Sequence, residues 1–306
     1  MMQKDFYHFL APISNVNDSV LGLTLLPGFE IVNWPKTELI DLIKKLQKLP
    51  DHEVESIIDA SCWYPDEQDD IRVMEGFIDP GEYWRWIPGS SINGDRYSEY
   101  GEYFEKIYRK IQVMRLFKEG HIDITHYYIY KNKHDLVFYM NRPFLPSSPE
   151  LPLYTLSEGE KKDLEQFFEN IRIPFNLPYL QLGFENFEQS FHIDNEALAF
   201  LSLMIAAEVL FNVGQQELKY RISRGMAVLL GDTIEKSNEI FHCMKNIYNK
   251  RSHLVHSGKD EDISYGDIII LRDYIRKAIV KIFNLNIGSK ELSEKLTIVG
   301  FGQSIT

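Results

Sequence analysis

Cysteine is scarce. Only Cys62 and Cys243 occur in 306 residues, too far apart in sequence to suggest a disulfide framework or a paired-ligand motif, so the expected setting is reducing and intracellular. Basic residues are in deficit: 33 Lys and Arg stand against 45 Asp and Glu, a net charge of -12. That balance excludes broad nonspecific binding of nucleic acid and requires any such site to be local. Long apolar runs are missing too. The most apolar stretch, 197 to 213, is interrupted by Ser202, Glu208 and Asn212 and falls short of the roughly 20 residues that span a bilayer. It is read as a core helix, and no membrane partner is expected. The opening Met1-Met2-Gln3-Lys4-Asp5-Phe6 lacks a secretory apolar segment, which points to a cytoplasmic location. There is no Gly-rich phosphate loop and no nucleophile elbow. His121, His126 and His134 have no second cluster at zinc-like spacing, so neither a metal nor another cofactor is expected.

What is present describes an ordinary folded chain. Hydrophobic residues make up 44% and charged residues 25%, values that exclude extensive disorder, and the length allows two domains. Between Arg142 and Pro152 the chain carries Pro143, Pro146, Pro149 and Pro152, which neither a helix interior nor a central strand accepts. The expected division therefore gives a domain over 1–150 and another over 151–306. Upstream, β-like runs at 19–26, 122–130 and 136–140 mix with helical segments near 37–49 and 100–118, an α+β pattern without repeats. Downstream the pattern is all-α. Ser157-Glu158-Gly159-Glu160 forms a capping-box signature ahead of the stripe Leu164, Phe167, Phe168 and Ile171. Further helices are expected near 193–213, 217–230, 233–255 and 264–284, the last with Ile268, Leu271, Ile275, Ile279 and Ile282 on one side.

One helix carries a conflict. Ile240, Met244, Ile247 and Tyr248 fall at the spacing of a buried face, and at about 100° per residue Arg251 projects into the middle of it, between the rows continued by Leu254 and Val255. Burying an unpaired guanidinium costs several kcal/mol, so Arg251 needs an acidic partner, a ligand anion or both. Glu208 is the one charge in the apolar run 197 to 213, and its expected mate is Arg251 or Arg221. His256 follows five residues after Arg251, just before Gly258, the residue type that ends helices in the left-handed conformation.

Arginine makes forked bonds to phosphate and keeps its charge, whereas histidine exchanges a proton near neutrality. Together they suit metal-free RNA cleavage: a base for the 2'-hydroxyl and a fixed cation for the phosphorane. Around this pair, Tyr248 could stack on a base or bond a phosphate, and Ser252 and Asn249 are small polar neighbours. Arg221 and Arg224 could extend a phosphate-binding surface, with His253, on the opposite side of the helix from Arg251, as an auxiliary contact. A buried ion pair that only fixes helix packing is the plainer reading of Glu208 and Arg251, and solvated helix faces the plainer reading of Arg221 and Arg224. In the first half, Cys62 to Asp70 is acidic with aromatics, and Tyr83-Trp84-Arg85-Trp86 surrounds one arginine with rings. Aromatic core with solvated charge accounts for both.

The runs Ala206 to Phe211, Arg221 to Asp232 and Ile247 to His256 together resemble the HEPN superfamily, closest to its Apea-like branch, over roughly residues 157 to 287. The resemblance implies a compact helical bundle, commonly dimeric, of a kind often found as ribonucleases in toxin or phage-defence systems, in which the R-x4-6-H arginine and histidine are catalytic. Matched by residue, these are Arg251 and His256. Related sequences usually place glycine directly after the histidine, and here Ser257 intervenes before Gly258. The implied activity is that of a metal-independent endoribonuclease whose partners are RNA, a second copy of the chain, and a neutralising or trigger protein. The first domain would sense that trigger or bind that partner. The other reading is a noncatalytic interaction module that binds RNA, a nucleotide or a protein. Because one R-x4-H set offers a single arginine and a single well-placed histidine, a twofold dimer would be needed to supply separate base, acid and cation.

Overall fold

The computed structural model describes residues 7–50, 52–55, 58, 70–78, 96–124, 126–131, 136–141, 151–211, 217–258, 260 and 263–305. The acidic stretch 62–69, the aromatic stretch 83–86, His134 and most of the proline-rich stretch, 142–150, lie outside them. The chain forms two compact units, Met1–Ile171 and Arg172–Thr306. The expected boundary at 150/151 thus moves to 171/172, because the capping-box helix belongs with the first unit.

The first unit is built on an antiparallel sheet of β1 (Tyr7–Ser14), β2 (Thr24–Leu26), β3 (Phe29–Pro35), β4 (Asp70–Ile78), β5 (Asp123–Ile124), β6 (His126–Tyr130) and β7 (Leu136–Asn141), in the order β2-β3-β4-β1-β6-β7 with β5 paired to β1. Helix α1 (Lys36–Gln47) covers one face, where Leu39, Leu42, Ile43 and Leu46 meet Leu10, Ile71, Val73 and Tyr128. Helix α2 (Arg96–Phe117) covers the other through Phe104, Ile107, Ile111 and Met114, which join the core of Phe9, Ala11, Ile13, Ile31 and Ile129. Strand β1 therefore buries Phe9 and Leu10 on opposite faces, as the period of two requires. The fully buried Arg115 donates from Nε to Ile122 O at 2.9 Å and is ion-paired with Asp123 Oδ1 at 3.0 Å within this unit. Helix α3 (Glu158–Asn170) opens on the expected capping box of Ser157 and Glu160. It is tied to the end of α2 by Phe167 edge-on to Phe117, and to the residue after it by a Lys118–Glu160 ion pair at 2.8 Å, which is why it folds with the sheet.

The second unit is helical: α4 (Pro178–Gln189), α5 (Glu196–Phe211), α6 (Leu218–Leu230), α7 (Ile234–Ser257), α8 (Tyr265–Leu285) and α9 (Ser289–Ile298). Close approach is set by small residues. A Cβ on Gly183 would lie 2.8 Å from Leu210 Cδ2, so α4 and α5 need glycine there. Between α6 and α7, a Cβ on Gly231 would lie 2.7 Å from Ser237 Cα and 2.8 Å from Ala227 O. Helix α8 buries Ile268, Leu271, Ile275, Ile279 and Ile282, the stripe expected from their spacing. Helix α5 is buried on most sides, which leaves Glu208 as a charge in apolar surroundings.

Candidate functional site

Helix α7 positions the candidate residues. Thr233 caps its start, accepting from the Lys236 amide at 3.1 Å, and Gly258 ends it at φ 69°, a left-handed conformation that favours glycine. Ile240, Met244 and Ile247 are buried, and Arg251 continues their row. Its Nη2 stands 3.1 Å from Glu208 Oε1 on α5, with the two side chains 27% and 22% exposed. Of the two expected mates for Glu208, the structure selects Arg251. Glu208 Oε1 is shut off from solvent and makes no aligned hydrogen bond, so the contact is ionic. The guanidinium also lies 5.8 Å from the Tyr248 ring centre. Burial pushes the Tyr248 hydroxyl above its ordinary pKa, with Arg251 opposing that shift and Glu208 adding to it.

The neighbours of Arg251 fix the helix rather than the site. Lys250 pairs with Asp267 of the α8 capping box at 2.7 Å, and Asn249 accepts from Lys219 of α6 at 2.6 Å. Burial alone would raise the Asp267 carboxyl, but hydrogen bonds from Lys250 and Ser264 outweigh it and hold the group below its ordinary value. Ser252 is half-buried, and its hydroxyl has no hydrogen bond among the described residues. His253 is exposed, and its carbonyl accepts from the Ser257 hydroxyl at 2.7 Å.

His256 is exposed on the last turn, with no side-chain partner among the described residues. The helix continues unbroken through Ser257, so five residues of about 100° each place His256 roughly 140° round the axis from Arg251. One chain thus sets the two side chains at one helix end but on different faces. Arg221 is exposed on α6. Arg224 is not a free surface cation: its Nη2 donates to Val299 O at 2.8 Å and Thr297 O at 3.3 Å, holding the tail beyond α9.

That tail reveals an aromatic cluster that sequence reasoning missed. Phe301 lies 5.7 Å from Phe241 of α7, Tyr220 of α6 packs edge-on to Phe241 at 5.9 Å, and Lys245 Nζ sits 5.2 Å from the Phe241 ring centre. The available signal was the spacing Phe241, Lys245, Asn249, Ser252, His256, which repeats along one side of a helix. A cavity of about 460 Å³ lies elsewhere in this unit, lined among others by Leu229, Asp232, Lys281 and Gln303, and includes neither Arg251 nor His256.

Among the described residues, no three His, Cys, Asp or Glu side chains gather as a metal site. No helix among them is long and apolar enough to cross a membrane. No family model, curated protein or solved structure matches the chain.

Proposed function

We propose that the second unit is a HEPN-type, metal-independent endoribonuclease, and that the chain is a cytoplasmic toxin or antiphage effector whose first unit receives a trigger or a neutralising protein. The observation that carries this reading is the state of Arg251: a guanidinium set into an apolar helix face, oriented by Glu208 yet still a quarter exposed, one helix turn from an exposed histidine. A cation that served packing alone would be better sealed, and desolvation with an opening to solvent is what anion stabilisation requires.

In the proposed reaction His256 takes the proton of a ribose 2'-hydroxyl. The 2'-oxygen bonds to phosphorus, Arg251 balances the charge of the phosphorane, and the bond to the 5'-oxygen breaks as that oxygen takes a proton from the protonated histidine of a second copy of the chain. The products are a 2',3'-cyclic phosphate and a 5'-hydroxyl. Glu208 orients Arg251 and touches no substrate. Because Arg251 and His256 face apart on one helix, a homodimer supplies the missing convergence: the arginine of one copy works with the histidine of the other across a twofold axis.

The 140° separation also supports a second reading, a noncatalytic module that binds RNA, a nucleotide or a protein through the same helix end. Incubating single-stranded RNA with the wild type and His256→Ala separates the two. Cleavage that is lost with His256 supports the enzyme, and no cleavage by the wild-type dimer supports the module. Light scattering at micromolar concentration should show a dimer, and a monomer with full cleavage activity would remove the composite site.

A further inference from the structure

We infer that the seam between α6 and α7 is a track for unpaired RNA, running from the Tyr220, Phe241 and Phe301 cluster to His256. This inference rests on the ribonuclease reading and adds to it the path that the strand takes across the protein and the groups that hold it.

The track follows from helix geometry. At about 100° per residue, Phe241, Lys245, Asn249, Ser252 and His256 fall within about 80° of one another around α7. At about 1.5 Å per residue they extend over roughly 22 Å. This side is turned well away from the buried row of Ile240, Met244 and Ile247, and towards α6, whose Lys219 bonds Asn249 and whose Tyr220 packs on Phe241. Tyr220 is 51% exposed. A large ring left half in water beside two others offers a π-face to a base, and base stacking on aromatics tolerates any sequence.

The charge pattern fits the same occupant. The chain carries 45 acidic residues, yet α6 has none after its exposed cap residue Glu217, and the tail from Val299 to Ile305 has none. The two acids of α7, Glu235 and Glu239, project about 120° and 160° from Phe241, off the track. What remains along it is cationic or neutral: Lys219 and Lys245, with Asn249 and Ser252 as hydrogen-bonding groups. Arg224 contributes indirectly, since its bonds to Thr297 and Val299 hold the tail that presents Phe301. A strip whose acids, Glu217 and Asp260, stand only at its ends is, on a strongly acidic protein, a local site for a polyanion, and the exposed Tyr220 ring between the cations selects one whose bases are unstacked. A duplex keeps its bases stacked on each other and gains nothing from Tyr220.

The test uses the full-length chain with His256→Ala as the parent, so that binding is measured without cleavage. The probe is a fluorescent, unstructured RNA of 12 nucleotides, with a blunt RNA duplex of the same sequence for comparison, read by anisotropy. Adding Tyr220→Ala should weaken binding of the single strand by about tenfold or more, given the usual contribution of a stacked base. Tyr220→Phe should stay within about twofold of the parent. Lys245→Gln should weaken binding and flatten the salt dependence by about 0.7 in log–log slope, the share of one phosphate contact on a single strand. Parent and variants should bind the duplex more weakly and alike. Single-strand affinity unchanged in both Tyr220→Ala and Lys245→Gln would overturn the track, as would no affinity of the parent for RNA. Cleavage by the native chain is read separately. Active enzyme with no effect of these variants removes the track alone, and inactive enzyme with the expected binding losses removes the catalytic reading alone.

Discussion

Replacing Glu208 with Gln and Arg251 with Met, singly and together, gives a cycle that isolates the ion pair on which the candidate site is built. Exposed pairs are worth about 0–1 kcal/mol, whereas breaking a sealed pair costs about 3–5 kcal/mol. With side chains 27% and 22% exposed, this pair lies between the limits, and the expected coupling is about 1–2 kcal/mol. Arg251→Met should cost more than Glu208→Gln, since it strands the solvent-shielded Glu208 Oε1, while the freed Arg251 can turn towards water. Urea unfolding reports both. All four tryptophans, Trp34, Trp63, Trp84 and Trp86, lie in the first half of the chain, so fluorescence follows the first unit and far-ultraviolet dichroism chiefly the helical second. At a urea slope of about 2 kcal/mol per molar, the coupling corresponds to a midpoint shift of about 0.5–1 M in the dichroism transition, with the fluorescence transition unmoved. A coupling below about 0.3 kcal/mol, or Glu208→Gln as stable as the wild type, would show that Glu208 does not hold Arg251.

His256→Ala should leave the dichroism midpoint within about 0.5 kcal/mol of the wild type, because the side chain is exposed; a larger loss would mean that the histidine is structural. Gly231→Ala should lower the stability of the second unit by about 1–3 kcal/mol, since its Cβ meets backbone at 2.7 and 2.8 Å, and an unchanged midpoint would refute the close approach of α6 and α7. Burial pushes His126 down to about 4 from 6.5. Its neutral form is favoured on folding, and the unfolded chain binds the extra proton. The first unit should therefore lose stability as pH falls from about 6.5 to about 4, with no further loss from this group below that, and His126→Asn should flatten the fluorescence-monitored slope. The same slope in wild type and variant would assign the acid sensitivity to other groups.

The later helices of the chain were largely legible because their signals are local. The capping box at Ser157, the stripe of α8 and the glycine after α7 are each set within a few residues. Helix α4 was overlooked, although Pro178 at its start and the spacing of Leu180, Phe184 and Phe187 marked it. Strand β1 gave no alternation because both its faces are buried, and Pro12 within it argues against a strand in the absence of a visible partner. Where 19–26 suggested one strand, the chain forms a short 3-10 turn at Asp18–Val20 before β2. The domain boundary was misplaced because proline content records where regular structure stops, whereas the allegiance of α3 depends on its contacts with α2. For the site, the conflict of Arg251 with its apolar row was visible from periodicity, and its partner was narrowed to two. The angle between Arg251 and His256 was implicit in their spacing. The aromatic cluster was not, because Phe301 comes from a tail that only the fold brings to Phe241.

The most direct test of the catalytic account is the chemistry of the RNA ends. Purified wild-type protein incubated with single-stranded RNA in excess EDTA should still cleave it, leaving 2',3'-cyclic phosphate and 5'-hydroxyl termini that mass spectrometry distinguishes, and His256→Ala should leave the RNA intact. Cleavage abolished by EDTA and restored by a divalent ion, or products with 5'-phosphate and 3'-hydroxyl ends, would contradict it.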